Sequence, residues 1–517
     1  MKKQTAVIDL GSNSIRLVIF EIDNQGGYKE IENLKIVARL SSHIDEAGCL
    51  SAEGLATMKE TLCRFRAVME QYTITEVRGV ATAAIRNAVN REEIEHFLEE
   101  ETDMSFRVLS EKEEACYGFL AVANSTEVAD GITIDIGGGS TEITLFKNRD
   151  LKHYHSFPFG ALTLKRRFVE DGDRPTDTEL RQLRKFVHDA FDTLPWLKST
   201  NDPVIGIGGS ARNIALVHQH SIDYPLAGLH HYEMNKKDVS AIFDKLYDIT
   251  LKQRQQVDGL SKDRADIILP AICVIETLLD YINTERFILS NKGLREGVFF
   301  ETLLTEMKTD IFPNVTEESF YQLSKEYQLD GEHHRKLSVL AATLFHWLKA
   351  YSEQSYNDED LHLLTLAARV FYIGESIHPE ARSQHTFYLL TNQSIDGLSH
   401  LKRLAVALLA SFRSRSLFYQ FAKPFNHWVA DHELKKYEQL GAILRLAYGL
   451  NRTKQSVVTD VKVVSKKTNH LSLHINTEKD AYFEEVHAQK YKKHLERAFN
   501  IDIDVSINKE KASYSDV

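Results

Sequence analysis

Two stretches of this chain set an acid, a bend of small residues and several hydroxyls between apolar runs. The first is DLGSNS within TAVIDLGSNSIRLVIFEI (residues 5–22), and the second is DIGGGSTE within residues 132–146. Gly11 can take a positive φ, so the amides and hydroxyls of Ser12, Asn13 and Ser14 can converge on an anion. The same residues also suit a plain polar hairpin turn. Asp9 beside a phosphate would repel it unless a cation bridged them, so the anion reading brings Mg²⁺ or Mn²⁺ with it. In the second stretch Gly137, Gly138, Gly139 and Ser140 let backbone amides approach an oxyanion, and Asp135 and Glu142 offer hard oxygen ligands. Three consecutive glycines weaken a strand pair, which argues against a purely structural turn. A third piece, VIGIGGSARN (residues 204–213), runs a strand into Gly208, Gly209 and Ser210 at a helix start. It reads either as a further anion site or as a glycine-eased turn.

The elements that must carry these loops follow an α/β plan used twice. Residues 1–123 alternate strands and helices, beginning with paired strands around DLGSNS. Residues 124–309 restart the cycle with GITIDIG and STEITLF, with helices around 178–197, then a strand at PVIGIGG and a helix from Ser210. Beyond Pro313 the spacing turns helical for residues 310–450, as in HRKLSVLAATLFHWLKAY. Residues 451–517 alternate VVTDVKVVSKK and HLSLHI with one helix and DIDVSI, the pattern of a small α+β domain.

At 517 residues the chain calls for three or four domains, and no apolar run approaches a membrane span. The apolar run after MKKQ is read as a strand rather than a signal segment, because Asp9, Gly11 and Asn13 interrupt it. Four scattered cysteines without a CxxC pair point to a reducing cytoplasm and against a cysteine zinc site. The net charge of −11 is uneven, because residues 401–517 hold 20 Lys and Arg against 13 Asp and Glu. Lys462, Lys466, Lys467, Lys490, Lys492, Lys493 and Arg497 are candidates for a polyanion path, or simply for a solvated basic face. No nucleic-acid motif accompanies them.

Two such hairpins facing across a cleft resemble the phosphate grip of the actin-like, sugar-kinase and heat-shock ATPase superfamily. DLGSNSIRL, GVATAAIRNAVN, VLSEKEEACYGFLAV, IDIGGGSTE, IGIGGSARN and SNKGLREGVFFE occur in this order. Together they resemble the exopolyphosphatase/guanosine pentaphosphatase (Ppx/GppA) family in its long, four-domain form. The resemblance implies two actin-like (ribonuclease H-like) domains, then an all-helical HD-like domain and a small α+β domain. It casts Glu114 as the general base that activates water, and Arg86 as a contact to the phosphate chain. Glu113 projects about 100° away around a helix, so only one of the two acids should face the cleft. Asp135 and Glu142, with Asp9 acting through a water, become the metal-ligand candidates. Arg295 in GLREG is expected to support the cleft.

One departure is plain. An HD hydrolase needs a His-Asp doublet, and here Phe371-Tyr372 stands in its place, so the helical domain is expected to lack metal hydrolysis. His385 resembles a retained neighbour. Dimerisation and guiding of substrate are the roles left to this half. HHYE (residues 230–233) and His333-His334 lack zinc-site spacing.

With that resemblance, the expectation is a cytoplasmic, Mg²⁺-dependent exopolyphosphatase releasing orthophosphate from inorganic polyphosphate, and the resemblance implies a homodimer through the C-terminal half. Guanosine pentaphosphate (pppGpp) 5′-phosphohydrolysis is the sister alternative. An actin-like kinase or nucleotide-binding module, or a silent polyphosphate-binding protein, are the alternatives of other classes.

Overall fold

The structure, a computed structural model, describes residues 2–169, 174–198, 200–467 and 470–509, with the side chains of residues 465–467 and 509 left aside. The chain divides into two compact units, Met1–Tyr224 with Leu229–Val315, and Pro225–Gly228 with Thr316–Val517.

The first unit holds two sheets of related design. In the first, β1 (Lys3–Leu10), β2 (Ile15–Ile22) and β3 (Tyr28–Ile36) form an antiparallel meander: β1 and β2 offer nearly continuous apolar runs, β3 is a mixed polar and apolar edge strand, and the links between them are short and polar. After α1 (Ala52–Met69), β4 (Ile74–Ala81) joins β1 in parallel. Then α2 (Ala83–Arg86) and α3 (Arg91–Thr102) lead to β5 (Phe106–Val108), beside β4, and to α4 (Glu111–Ala123).

The second sheet repeats the scheme. Its β6 (Gly131–Ile136), β7 (Thr141–Lys147) and β8 (Asp150–Phe157) are again an antiparallel meander. Two helices follow, α5 (Ala161–Phe168) and α6 (Asp177–Phe191). Then β9 (Val204–Ile207) joins β6 in parallel, as β4 joins β1. The strand orders are β3-β2-β1-β4-β5 and, read in the same sense, β8-β7-β6-β9 followed by β11 (Arg286–Leu289) and β10 (Tyr232–Asn235) at the edge. The later pieces are α7 (Gly208–Ser221), β10 (Tyr232–Asn235), α8 (Lys236–Tyr247), α9 (Leu251–Arg254), α10 (Ile268–Ile282), β11 (Arg286–Leu289) and α11 (Leu294–Met307). Helix α10 is apolar on nearly every face and is buried almost throughout, which makes it the centre of the second half's core.

The helices expected around residues 178–197 are α6, which ends at Phe191, and a short helical turn over Pro195–Leu197. Leu194, the residue before proline, is pushed out of helical geometry (φ −112°, ψ 86°). HHYE leads into the edge strand β10.

In the second unit α12 (Val315–Glu326), α13 (Gly331–Leu348), α14 (Asp358–Arg369), α15 (Arg382–Asn392), α16 (His400–Ala410), α17 (Arg415–Ala422) and α18 (Asp431–Leu450) form a helical assembly. A three-stranded sheet closes the chain. Here β12 (Val458–Lys467) pairs antiparallel with β13 (His470–Thr477). The crossover helix α19 (Tyr482–Phe499) then returns the chain to β14 (Asp502–Lys509), which lies parallel to β13. Among the described residues no helix is long and apolar enough to cross a membrane.

Candidate active site

The two expected loops sit at matching positions in the two meanders. Asp9 pairs with Arg16 across β1 and β2, and Asp135 pairs with Glu142 across β6 and β7. Each turn closes on one hydrogen bond, from Gly11 N to Ser14 O (3.2 Å) and from Gly137 N to Ser140 O (3.0 Å). Each is also held from behind through its carbonyls. Arg39 N and Ser41 N donate to Asn13 O and Ser12 O, while Ala161 N and Leu162 N at the start of α5 donate to Gly137 O and Gly138 O. Among the described residues nothing accepts from the amides of Ser12, Asn13, Ser14, Gly138 or Gly139. Those donors remain for a ligand, which is the requirement of an anion nest.

The loops meet: a Cβ built on Gly138 would lie 3.9 Å from the Cβ of Ser12. A cavity of about 180 Å³ opens there, lined by Gly11, Ser12, Asn13, Ser14, Gly137, Gly138, Ser140, Gly208 and Gly209. Gly208 must be glycine twice over, with φ +78° and a Cβ that would fall 2.2 Å from Asp135 Oδ1. Two of the expected phosphate-loop residues lie outside the lining. Gly139 has open space around it, and Ser210 turns its hydroxyl to Ile136 O (3.1 Å).

Helix α4 delivers the acid. Ser110 caps it, and Glu113 completes a capping box by accepting from Ser110 N (2.7 Å) while pairing with Arg107. These bonds hold the Glu113 carboxyl well below its usual range. Glu114, one residue on, faces the cavity instead and accepts from Arg86 Nη1 at 2.6 Å. Arg86 is outside the lining, and its Nε and Nη2 are buried without partners. The α4 backbone meets α11 at Gly297, where a Cβ would lie 2.1 Å from Tyr117 O.

Four carboxylates line the cavity: Asp9, Glu114, Asp135 and Glu142. Burial raises the pKa of each. Glu142 is pushed up further by the charge of Glu114, and Ser156 Oγ donates to it at 3.0 Å. Arg86 opposes the rise at Glu114. One oxygen of Asp9, Oδ1, is buried without a partner.

Four arginines line the same space, and only Arg295 among them figured in the sequence reading. Arg295 approaches Asp9 at 4.0 Å, and its Nη1 is buried unpartnered. Arg16, Arg212 and Arg264 join it. Burial, then Arg295 and Arg212, hold the Arg16 pKa down to about 10, so it still carries charge at neutral pH. Arg264 packs so closely on Gly209 that a Cβ there would sit 2.2 Å from its Nη2.

Four lining arginines stand against four lining carboxylates. The unpartnered Asp9 Oδ1 and the crowded carboxylates suit a hard divalent cation. Among the described residues, the one set of three His, Cys, Asp or Glu side chains whose donor atoms close within 4.8 Å is the exposed His188–Asp189–Asp192 group. Asp9, Asp135 and Glu142 therefore surround a wider space that a cation with retained water ligands would fill.

In the second unit, Phe371 and Tyr372 are buried, and the Tyr372 hydroxyl donates to Phe412 O (2.8 Å) and accepts from Arg445 (2.6 Å). An aromatic pair and its hydrogen bonds occupy the place of the HD doublet. His230 is bonded to Ser125 O (2.8 Å) and His333 to Asn451 (2.9 Å), and neither belongs to a metal cluster among the described residues. His385 is half-buried.

Comparison with known proteins gives two family matches. The model of the Ppx/GppA phosphatase family matches residues 18–306, and that of Ppx/GppA phosphatase domain III matches residues 315–496. Among curated proteins, the guanosine-5′-triphosphate,3′-diphosphate pyrophosphatase of Vibrio vulnificus is 23% identical over 486 residues, covering 92% of each chain. That of Aliivibrio fischeri is 24% identical over 488 residues, covering 91% of each. Among solved structures, the Aquifex aeolicus member of the Ppx/GppA family matches with a TM-score of 0.53 and 27% identity, covering 59% of this chain and 99% of that one. An exopolyphosphatase from Cytophaga hutchinsonii matches with a TM-score of 0.53 and 24% identity, over 58% and 98%.

Proposed function

This chain belongs to the Ppx/GppA phosphatase family, and from that premise we propose that it is an exopolyphosphatase, releasing orthophosphate from the end of inorganic polyphosphate. The observation that carries this is Glu114, poised on Arg86 at 2.6 Å and facing two loops whose amides are free to bind phosphate.

Glu114 orients a water against the terminal phosphorus and takes its proton as the P–O bond forms. The bond from that phosphorus to the bridging oxygen breaks, and the leaving chain is one unit shorter. The amides of Ser12, Asn13, Ser14 and Gly138 hold the phosphoryl oxygens, and Arg16, Arg212, Arg264 and Arg295 offset the charge that builds on the leaving oxygen. Asp135, Glu142 and Asp9 would hold Mg²⁺ or Mn²⁺, which supplies neutralising charge to the phosphate oxygens.

The cavity size supports attack at a chain end. Pockets enclosing a whole drug-sized ligand run roughly 300–1,000 Å³, and about 180 Å³ takes only a terminal portion.

The second reading is pppGpp 5′-phosphohydrolysis, favoured by the printed names of the curated relatives. A kinase or nucleotide-switch role fits less well, because Glu114 stands where water would be activated. We read the first unit as two actin-like domains, 1–123 and 124–309, and the second as a helical domain, 310–450, with a small domain, 451–517. We place the protein in the cytoplasm, as a homodimer through its C-terminal half.

Phosphate release from polyphosphate and from pppGpp, each with Mg²⁺ and beside Glu114→Gln, tests the reading. Equal or faster turnover of pppGpp reverses the choice of substrate, and no turnover of either removes the hydrolase.

A further inference from the structure

Of the four arginines that line the cavity of the first unit, Arg16, Arg212 and Arg295 stand on β2, α7 and α11. Arg264 stands on an irregular segment between α9 and α10. Regular hydrogen bonding fixes the first three, whereas a loop residue holds its place only through the partners its segment makes. Those partners converge on one side chain, Asn213.

Asn213 lies in the second turn of α7, where asparagine is a poor helix former and so calls for another reason to be there. It is 7% exposed. Its Nδ2 donates to Gly209 O (2.8 Å), and its Oδ1 accepts from both Ser261 N (2.6 Å) and Ser261 Oγ (2.9 Å). A backbone N–H can only donate and a backbone carbonyl can only accept, so these partners allow one orientation of the amide. Ser261 opens the turn that ends at Arg264, and Arg264 N closes it by donating to Ser261 O (3.0 Å). Just before the turn, Gly259 (φ +87°) brings the chain against α7 a second time, where a Cβ would fall 2.6 Å from the carbonyl carbon of Leu216.

The other side of the turn faces the phosphate loops. Arg264 Nη1 donates to Ser210 Oγ (3.3 Å), with the guanidinium lying on Gly209. Asp263 accepts from Asn13 Nδ2 in the first loop (3.4 Å) and faces Lys35 Nζ at 3.6 Å. Asn213 itself is outside the cavity lining. It therefore reaches a bound phosphate only through what it holds.

We propose that Asn213 is a positioning residue: it clamps the 261–264 turn to the Gly209 loop and so sets Arg264 against the phosphate oxygens of the substrate. The proposal rests on the hydrolytic reading for the identity of that substrate. What it adds is that the contribution of Arg264 depends on Asn213.

Imidodiphosphate, whose P–N–P bridge resists hydrolysis, separates binding from turnover when titrated calorimetrically into the full-length protein. Arg264→Ala should weaken its binding about tenfold or more, as loss of a hydrogen bond from a charged group does. Asn213→Ala should weaken it by a comparable factor, and the double variant should bind no worse than Arg264→Ala alone. The kcat/KM for polyphosphate should follow the same pattern, with thermal melts to check folding. Should Asn213→Ala not fold, Ser261→Ala removes one of the two bonds that Asn213 makes to the turn. Its smaller loss should vanish beside Arg264→Ala. Losses that multiply in the double variant, wild-type binding in Arg264→Ala, wild-type binding in both Asn213→Ala and Ser261→Ala, or no binding at millimolar imidodiphosphate each overturn the proposal. Non-multiplying losses in a protein that turns over neither polyphosphate nor pppGpp would remove the hydrolase and leave the positioning role standing.

Discussion

Arg16 and Glu142 occupy one register position in two copies of the same hairpin and carry opposite charges. Arg16 faces Asp9, and Glu142 faces Asp135. The duplicated scaffold is thus divided in labour: the first hairpin sets a cation beside its acid, and the second sets a further acid there.

Reversing that charge should break the division. Arg16→Glu places a like charge beside Asp9 and is expected to cut kcat/KM for polyphosphate by about a hundredfold or more, as loss of one charge-stabilising donor does. Arg16→Lys should keep part of the rate. Initial rates of phosphate release, with a thermal melt to check folding, decide this.

Glu114→Gln keeps shape and removes the proton acceptor. The expected loss in kcat is about 10²–10⁴-fold, with KM within a few fold. A KM that rises in step with the fall in kcat would show that Glu114 binds rather than activates.

Glu114 must be ionised to accept a proton, so activity should fall as pH drops through its pKa. Burial lifts that pKa and Arg86 lowers it, so the acid limb of kcat/KM should lie above the ordinary carboxylate value of about 4.3. Removing the opposing charge in Arg86→Gln should move the limb to higher pH. A stationary limb would sink the assignment.

His333 and His494 are both held down to about 4, chiefly by burial. Unfolding returns each toward about 6.5, so the unfolded chain binds more protons between those values. Their contribution to stability is complete above about pH 6.5 and is lost as pH falls toward 4. Denaturant titrations from pH 7 to pH 4.5 should show a falling midpoint, less steep in His333→Gln.

Lys490, Lys493 and Arg497 are exposed on α19. The side chains of Lys466 and Lys467 lie outside the described residues. If α19 guides long polyanions, Lys490→Glu with Lys493→Glu should raise KM for long-chain polyphosphate, leave tripolyphosphate unchanged and flatten the dependence on salt. Equal effects on both substrates would assign these residues to folding instead.

The paired loops were legible because glycine, acid and hydroxyl types recur in order along the chain. The strand pairs that carry them, β1 with β2 and β6 with β7, followed from nearly continuous apolar runs. The arginines were harder to see. Arg16 and Arg212 sit inside the motifs, but only strand register and the helix start reveal which way they face. Arg264 lies in an irregular turn before α10, with no periodicity to mark it, and only the fold brings it against Gly209. The Ser210 hydroxyl looked like a ligand donor for a similar reason. Composition cannot show that Ile136 O takes it first.

Gly297 has a consequence for how the protein tolerates change. Helices α4 and α11 touch backbone to backbone there, and they carry Glu114 and Arg295. A side chain at 297 would wedge the helices apart and displace both residues by one movement. The two are machined as a single fitted part, so drift at this one position would silence the site without altering any residue in it.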